Sequence, residues 1–158
     1  MRGGHAVPCG LVRDRSRPGR RANLNGLDGA GFTIDYAAAA GGAFSGINFA
    51  SGSGDDHITV QGSPAGTPVA LYKMGGNDDV NVGVSPDSGC DLTVDSRPLG
   101  GGASTAVLGV ADESGTATVD TVPSGLDSGV VEVLYAGKKP STITYLGVEG
   151  VSTDPAAG

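Results

Sequence analysis

Two short stretches of this chain place glycines and paired acidic residues directly before an alternating apolar segment. "GSGDDHITV" spans residues 52–60, and "MGGNDDVNV" spans residues 74–82. When Asp56 is aligned with Asp78, at an offset of 22 residues, the neighbouring glycines and apolar residues also coincide. Glycine permits a positive φ, so successive carbonyls can turn toward one point, and the following aspartate adds a carboxylate. Calcium binds six to eight such oxygens, so the pattern predicts a calcium-bound turn.

One turn cannot fill the coordination sphere of calcium, so two turns have to share the ion. Neighbouring strands of a stacked sheet lie about 4.8 Å apart, which would let Asp56 and Asp78 face the same cation. We expect one such site, or two if water completes an open side, with a modest dissociation constant of roughly 10⁻⁴ to 10⁻³ M. The predicted metal ligands are oxygen-bearing residues of the two turns: Ser53, Asp55, Asp56, Gly75, Asn77 and Asp78.

An ordinary turn without an ion is the alternative interpretation, because Gly, Asn and Asp are favoured turn residues in any case. A third glycine-rich stretch, "LGGGASTAVLGV", places Thr105 where the first two stretches have aspartate, so it offers no carboxylate. We expect His57 to be an exposed strand residue and not a ligand. Asp112 and Glu113 are expected to be surface residues of a turn.

The elements that would position these turns are short β-strands. From Phe32 onward, apolar segments recur about every ten residues between turn residues, and no window has the apolar period of a helix. The sequence therefore predicts an all-β domain. The predicted strands are FTIDY, GINFA, HITVQ, VALYK, VNVGV, DLTVD, TAVLGV, TATVDTV, VVEVLY, STITYL and VEGVS.

The fold class predicted within all-β is a right-handed parallel β-helix, or β-solenoid-like stack of short strands, with a β-sandwich as the alternative. The chain has 29 glycines among 158 residues, no Trp, three Phe and four Tyr. Its core must therefore consist mostly of Val, Ile, Leu, Ala and Thr, which suits thin stacked coils better than a thick sandwich.

Charge divides the chain into two regions. Residues 1–21 hold six arginines and one aspartate, whereas the rest holds four basic and sixteen acidic residues. We predict a basic, disordered leader over 1–27 and a repeat domain over 28–158, for which a truncated C-terminus is an open alternative. The acidic domain suits cations and not nucleic acid. No apolar run follows the arginines as in a secretory signal, and none is long enough to span a membrane.

The acidic turns resemble the glycine and aspartate repeats of the RTX, or hemolysin-type, calcium-binding family, with the pattern G-G-x-G-x-D-x-U-x. Gly52, Gly54, Asp56 and Ile58 fill the last four defined positions of this pattern, and Ser51 stands at its first glycine. The second turn keeps the last glycine, the aspartate and the apolar residue. The looser spacing is similar to that of longer-coiled relatives in large bacterial surface proteins.

This resemblance implies a non-catalytic calcium-binding module of an extracellular or cell-surface protein. The implied partners are a calcium ion and neighbouring repeats of a larger chain, with cell-surface polysaccharide as a further candidate. An ion-free structural or adhesive spacer is the main alternative. A polysaccharide lyase or hydrolase on a β-helix is a weaker one, because the sequence offers few bases and no nucleophile motif such as G-x-S-x-G. We therefore expect no enzyme activity.

Overall fold

The structure is a computed structural model that describes residues 21–25, 45–52, 54–61, 67–86, 90–98 and 104–155. Within these ranges every regular element is a β-strand, so the all-β prediction is confirmed. The strands are β1 (Arg21–Asn25), β2 (Gly46–Gly52), β3 (His57–Gln61), β4 (Val69–Met74), β5 (Gly76–Val84), β6 (Asp91–Asp95), β7 (Ser104–Asp112), β8 (Thr118–Pro123), β9 (Ser128–Leu134), β10 (Ser141–Leu146) and β11 (Gly150–Pro155).

The strands form two sheets, between which the chain alternates. Sheet A has the strand order β1-β2-β4-β6-β10-β9-β8, and sheet B has the order β11-β7-β5-β3. The chain passes from β2 to β3, from β4 to β5, from β6 to β7 and from β10 to β11, so each pair adds one strand to each sheet. Neighbouring strands within this alternation are all parallel. Neither sheet closes on itself among the described strands.

The register between β3 and β5 is the one that the repeated turns predict, since Ile58 lies opposite Val80 and Val60 opposite Val82. The third repeat, however, is shifted by one residue from the sequence alignment. Thr105 lies opposite Asn77, and it is Ala106 that lies opposite Asp78.

Burial of apolar side chains explains this shift. The predicted alignment would have turned Val107 into the core and Leu108 toward solvent, because a slip of one residue exchanges the two faces of a strand. In the structure Leu108 is fully buried and Val107 is 54% exposed.

A single core of small aliphatic side chains lies between the two sheets. Alternate residues of each strand point into it, as the period of two requires. The largest fully buried side chains are Leu92, Leu108, Ile143, Val80, Val82, Val84, Val94, Val110, Val131, Val133 and Val148.

Two features of the strand arrangement were not predicted from the sequence. Residues 21–25, assigned above to the leader, form β1, which pairs in parallel with β2. Strands β8 and β9 form an antiparallel hairpin that pairs with β10 and extends sheet A. The rest of the predicted leader and the predicted strand FTIDY lie outside the described residues.

Candidate functional site

The two acidic turns lie against each other where β3 begins beside β5. The Asp79 N–H donates to the Asp56 carbonyl oxygen at 2.8 Å, and the Asp56 N–H donates to Asp78 Oδ1 at 3.1 Å. The structure therefore brings together the two aspartates that the sequence placed at the centre of the site.

The carboxylates of these two aspartates point toward the interior. Asp78 has the same strand parity as the buried Val80 and Val82 and is only 2% exposed, while Asp56 is half-buried. Asp56 Oδ2 and Asp78 Oδ2 are both shielded from solvent and have no hydrogen-bond partner. A buried polar oxygen without a partner is costly, and an ionised one more so, because it loses its hydration without replacement.

The electrostatics of the pair follow from this burial. Burial raises the pKa of Asp78 from 3.8 to about 6; the N–H of Asp56 lowers it in part, and the charges of Asp56 and Asp55 raise it further. At neutral pH the Asp78 carboxylate is still ionised. The pair is therefore a buried concentration of negative charge that a cation or a proton would neutralise.

Asp55 and Asn77, two further predicted ligands, are exposed; Asp55 lies in the turn before β3, and Asn77 lies on β5. Asp55 Oδ1 accepts hydrogen bonds from Asn77 N at 2.8 Å and from Asn77 Nδ2 at 3.3 Å. Thr105 Oγ1 donates in turn to Asn77 Oδ1 at 2.6 Å. The predicted ligand set is thus divided, because these exposed side chains bind one another across three strands and face away from Asp56 and Asp78.

The remaining predicted residues have simpler positions. Gly75 forms the one-residue connection between β4 and β5, and Ser53 lies outside the described residues. His57 is exposed, as expected, and its Nδ1 lies 2.9 Å from Asp79 Oδ2.

Glycine is required where the two turns stack. Gly76 has a φ of +106°, a conformation that residues with a side chain rarely adopt. A Cβ on Gly76 would also lie 2.6 Å from the Gly54 carbonyl oxygen. The close approach of the two turns therefore depends on the glycine that precedes the second acidic pair.

Ser51 is a further candidate that was not among the predicted ligands, because it stands at the first glycine of the repeat pattern. Ser51 is 5% exposed, and its Oγ has no hydrogen-bond partner. The period of two places Ser51 on the same face of β2 as Ile47 and Phe49, which pack in the core. This alternation is visible in the sequence, and it could have marked Ser51 as an inward-facing hydroxyl.

Asp112, expected at the surface, is fully buried at the end of β7. Its carboxylate accepts hydrogen bonds from Ser114 N and Oγ, from Ala117 N and from Tyr135 Oη. Burial alone would raise the pKa of Asp112, but these hydrogen bonds outweigh it and hold the pKa well below its usual range. Asp112 and Asp78 thus differ, because both oxygens of Asp112 have hydrogen-bond partners, whereas Asp78 Oδ2 has none.

The chain's own contribution to a metal site is small. Across the described ranges, no group of three or more His, Cys, Asp or Glu side chains is placed to hold a metal ion. The turns therefore offer two carboxylates and several neutral oxygens as metal ligands. Cys90 is buried, and Cys9 lies outside the described residues.

A groove of about 400 Å³ lies on the outer face of sheet B. Gly83 and Gly109 form part of its floor, and no aromatic residue lines it. Its lining residues are Thr59, Gln61, Asn81, Val82, Gly83, Gly109, Val110, Ala111, Glu113 and Ser152.

Comparisons with family models, with curated proteins and with solved structures each found no match for this chain. In the part of the chain that the structure describes, there is also no helix long and apolar enough to cross a membrane. A functional assignment therefore has to come from the residues of the site itself.

Proposed function

We propose that this chain is a non-catalytic calcium-binding repeat module of a secreted or cell-surface protein, in which Ca²⁺ between the stacked turns stabilises the fold. The observation that carries the proposal is the pair of buried, unpartnered oxygens, Asp56 Oδ2 and Asp78 Oδ2. Carboxylate oxygens are the ligands that calcium prefers in proteins. A cation between them would turn the repulsion of two buried charges into attraction to a common centre.

The parallel architecture supports a solenoid interpretation of the fold, with RTX-like turns. In a β-sandwich, neighbouring strands are mostly antiparallel, whereas here β3, β5, β7 and β11 are parallel and the chain changes sheets after each of the strands β2, β4 and β6. We assign the alternating sheets to a right-handed parallel β-solenoid-like stack. The repeated turn then falls at the same corner of successive coils.

The ligand chemistry favours calcium over magnesium. Magnesium demands near-ideal octahedral geometry and usually keeps several waters, whereas calcium tolerates irregular sets of carboxylate, hydroxyl and carbonyl oxygens. With only two carboxylates, we expect a dissociation constant of about 10⁻⁴ to 10⁻³ M.

Thermal melting with calcium or with a chelator tests the proposal. The wild type should melt at a higher temperature in millimolar CaCl₂ than in chelator. MgCl₂ at matched ionic strength should raise the melting temperature by less. Asp56→Asn and Asp78→Asn should lose the calcium response. Asp120→Asn is the matched control, since it removes the same charge from an exposed position on β8. An unchanged melting temperature of the wild type in calcium would reject the proposal.

An ion-free adhesive module is the second candidate, favoured by two observations on the outer face of sheet B. Asp55, Asn77 and Thr105 satisfy one another without an ion. The nearby groove presents hydroxyl, amide and carboxylate groups, which are chemically suited to a polysaccharide. Polysaccharide binding that persists in chelator, together with no calcium response, would favour this function.

A further inference from the structure

Three buried side-chain oxygens lack a hydrogen-bond partner in the described part of the chain, and all three belong to one region. They are Ser51 Oγ, Asp56 Oδ2 and Asp78 Oδ2. Ser51 is the penultimate residue of β2, Asp56 ends the turn that follows, and Asp78 lies on the strand beside that turn. Native proteins leave few buried polar atoms unpaired, so three such atoms within one turn, the strand before it and the strand beside it point to a missing common partner.

All three side chains have the parity of inward-facing neighbours. Ser51 lies on the same face of β2 as Ile47, and Asp78 lies on the same face of β5 as Val80. Asp56, directly before β3, has the parity of Ile58, which packs against the core. Because β2 belongs to sheet A and β3 to sheet B, the three oxygens lie on both sides of the corner at which the chain changes sheets.

Resting on the proposed function, we propose that the Ser51 hydroxyl is a third protein ligand of the calcium ion and links sheet A to the aspartates of sheet B. A hydroxyl is a neutral oxygen ligand that can turn toward a cation by rotating about one bond. Ser51 and Asp56 bind the ion from the two ends of one turn, and Asp78 binds it from β5, the strand that pairs with β3.

This role also explains why one site is expected and not a series of sites. By the register of β2 with β4, the position corresponding to Ser51 in the next coil is Lys73, and a lysine cannot ligate calcium while it is protonated. The position opposite Asp78 in the third coil is Ala106. The complete set of three oxygens therefore occurs once among the described coils.

The test compares Ser51→Ala with Ser141→Ala, a matched control at another buried serine. Ser141 is 2% exposed, but its Oγ accepts a hydrogen bond from Cys90 N at 3.0 Å. In chelator, Ser51→Ala should raise the melting temperature, because it removes an unpaired hydroxyl, whereas Ser141→Ala should lower it. Calorimetric titration should show calcium binding about tenfold weaker in Ser51→Ala and unchanged in Ser141→Ala.

A second variant, Ser51→Cys, keeps nearly the same volume and tests ligation directly. Replacing a hard oxygen by a soft sulfur should weaken Ca²⁺ binding and strengthen Cd²⁺ binding relative to the wild type. The wild type, which retains Cys90, controls for cadmium bound to other thiols. A purely structural role of Ser51 would leave the preference between the two metals unchanged.

The outcomes separate this inference from the proposed function. Equal calcium affinity in the wild type and Ser51→Ala, with loss of binding in Asp78→Asn, would overturn the role of Ser51 and leave the calcium module intact. Absence of calcium binding in the wild type would overturn both. An unchanged metal preference in Ser51→Cys would overturn the role of Ser51 even if Ser51→Ala failed to fold.

Discussion

Replacing Asp78 by asparagine should stabilise the protein in chelator, although it removes a charged group from the candidate site. The asparagine Oδ1 can still accept the Asp56 N–H, while the buried charge and its repulsion by Asp56 disappear. A pKa moved from 3.8 to about 6 corresponds to roughly 3 kcal/mol at full strength. Gly54 and Asp55 beside it are exposed, so solvent screens part of this energy, and we expect about 1–2 kcal/mol.

Calcium should cancel or reverse this difference in stability between the wild type and Asp78→Asn. With a dissociation constant of about 10⁻³ to 10⁻⁴ M, calcium at 10 mM contributes about 1.4–2.7 kcal/mol to the wild type. Asp78→Asn, which lacks one of the two carboxylates, should gain little. The variant therefore melts above the wild type in chelator and level with it or below it in calcium.

The assay is thermal unfolding at pH 7.5 and constant ionic strength, followed by circular dichroism. For a chain of this size, 1 kcal/mol moves the melting temperature by about 2–4 °C, so both effects are measurable. Asp120→Asn should melt like the wild type in both buffers. A variant that melts below the wild type in chelator would refute the argument that the Asp78 carboxylate is a buried, unsatisfied charge.

Three further predictions concern the pH dependence of Asp78, the hydrogen bond of Tyr135 and the glycine of the second turn. In chelator, the stability of the wild type relative to Asp78→Asn should fall as the pH rises from about 4 to about 6. In this range Asp78 keeps its proton in the folded protein but has already released it in the unfolded chain. Denaturant titrations at several pH values measure this difference. Tyr135→Phe should cost about 1–3 kcal/mol in urea unfolding, with or without calcium, because Tyr135 Oη lies 2.6 Å from the buried Asp112 Oδ1; an unchanged midpoint would contradict the role of that hydrogen bond. Gly76→Ala should lower the melting temperature and the calcium response, whereas Gly137→Ala, also at a positive φ but with no atom near its Cβ, should lower stability only; equal calcium responses in the two variants would count against the stacked turns as the site.

Most strands could be predicted from the sequence because their alternation is regular. HITVQ, DLTVD and STITYL coincide with β3, β6 and β10. The segment VNVGV covers only the end of β5, since that strand begins at Gly76, within the acidic turn itself. Glycine and aspartate are poor strand formers, so propensity alone starts the strand too late, whereas pairing with β7 extends its beginning back to Gly76.

The hairpin of β8 and β9 could not be predicted as antiparallel from its own residues. Its strands alternate like the others, and strand direction is set by the connection and not by the alternation. The leader prediction rested on arginine content, but the segment RANLN contains the alternation Ala22, Leu24 and forms β1. A segment of five residues is too short to show a period against a charged background.

The candidate site was predicted in position but not in its detailed contacts. Repetition at 22 residues placed Asp56 beside Asp78, because a repeated pattern implies a repeated register. Whether a carboxylate in such a turn is satisfied depends on tertiary hydrogen bonds. Asp112 receives a donor from Tyr135, 23 residues further on, while Asp78 Oδ2 receives none, and nothing in their local sequences distinguishes them.

The β8–β9 hairpin has a consequence for self-assembly. Stacked parallel strands are templates for end-to-end polymerisation, since each exposed edge can recruit a like edge from another copy. Strand β10 hydrogen-bonds to β6 on one side and to antiparallel β9 on the other, so a second molecule cannot add to it in parallel. Among the strands that the structure describes, β11 has no corresponding neighbour beyond it in sheet B. At this end sheet A continues with β9 and β8, whereas sheet B ends at β11 among the described strands. The edges of the two sheets are therefore not level, so an incoming copy cannot pair with both in parallel, which opposes the growth of fibrils.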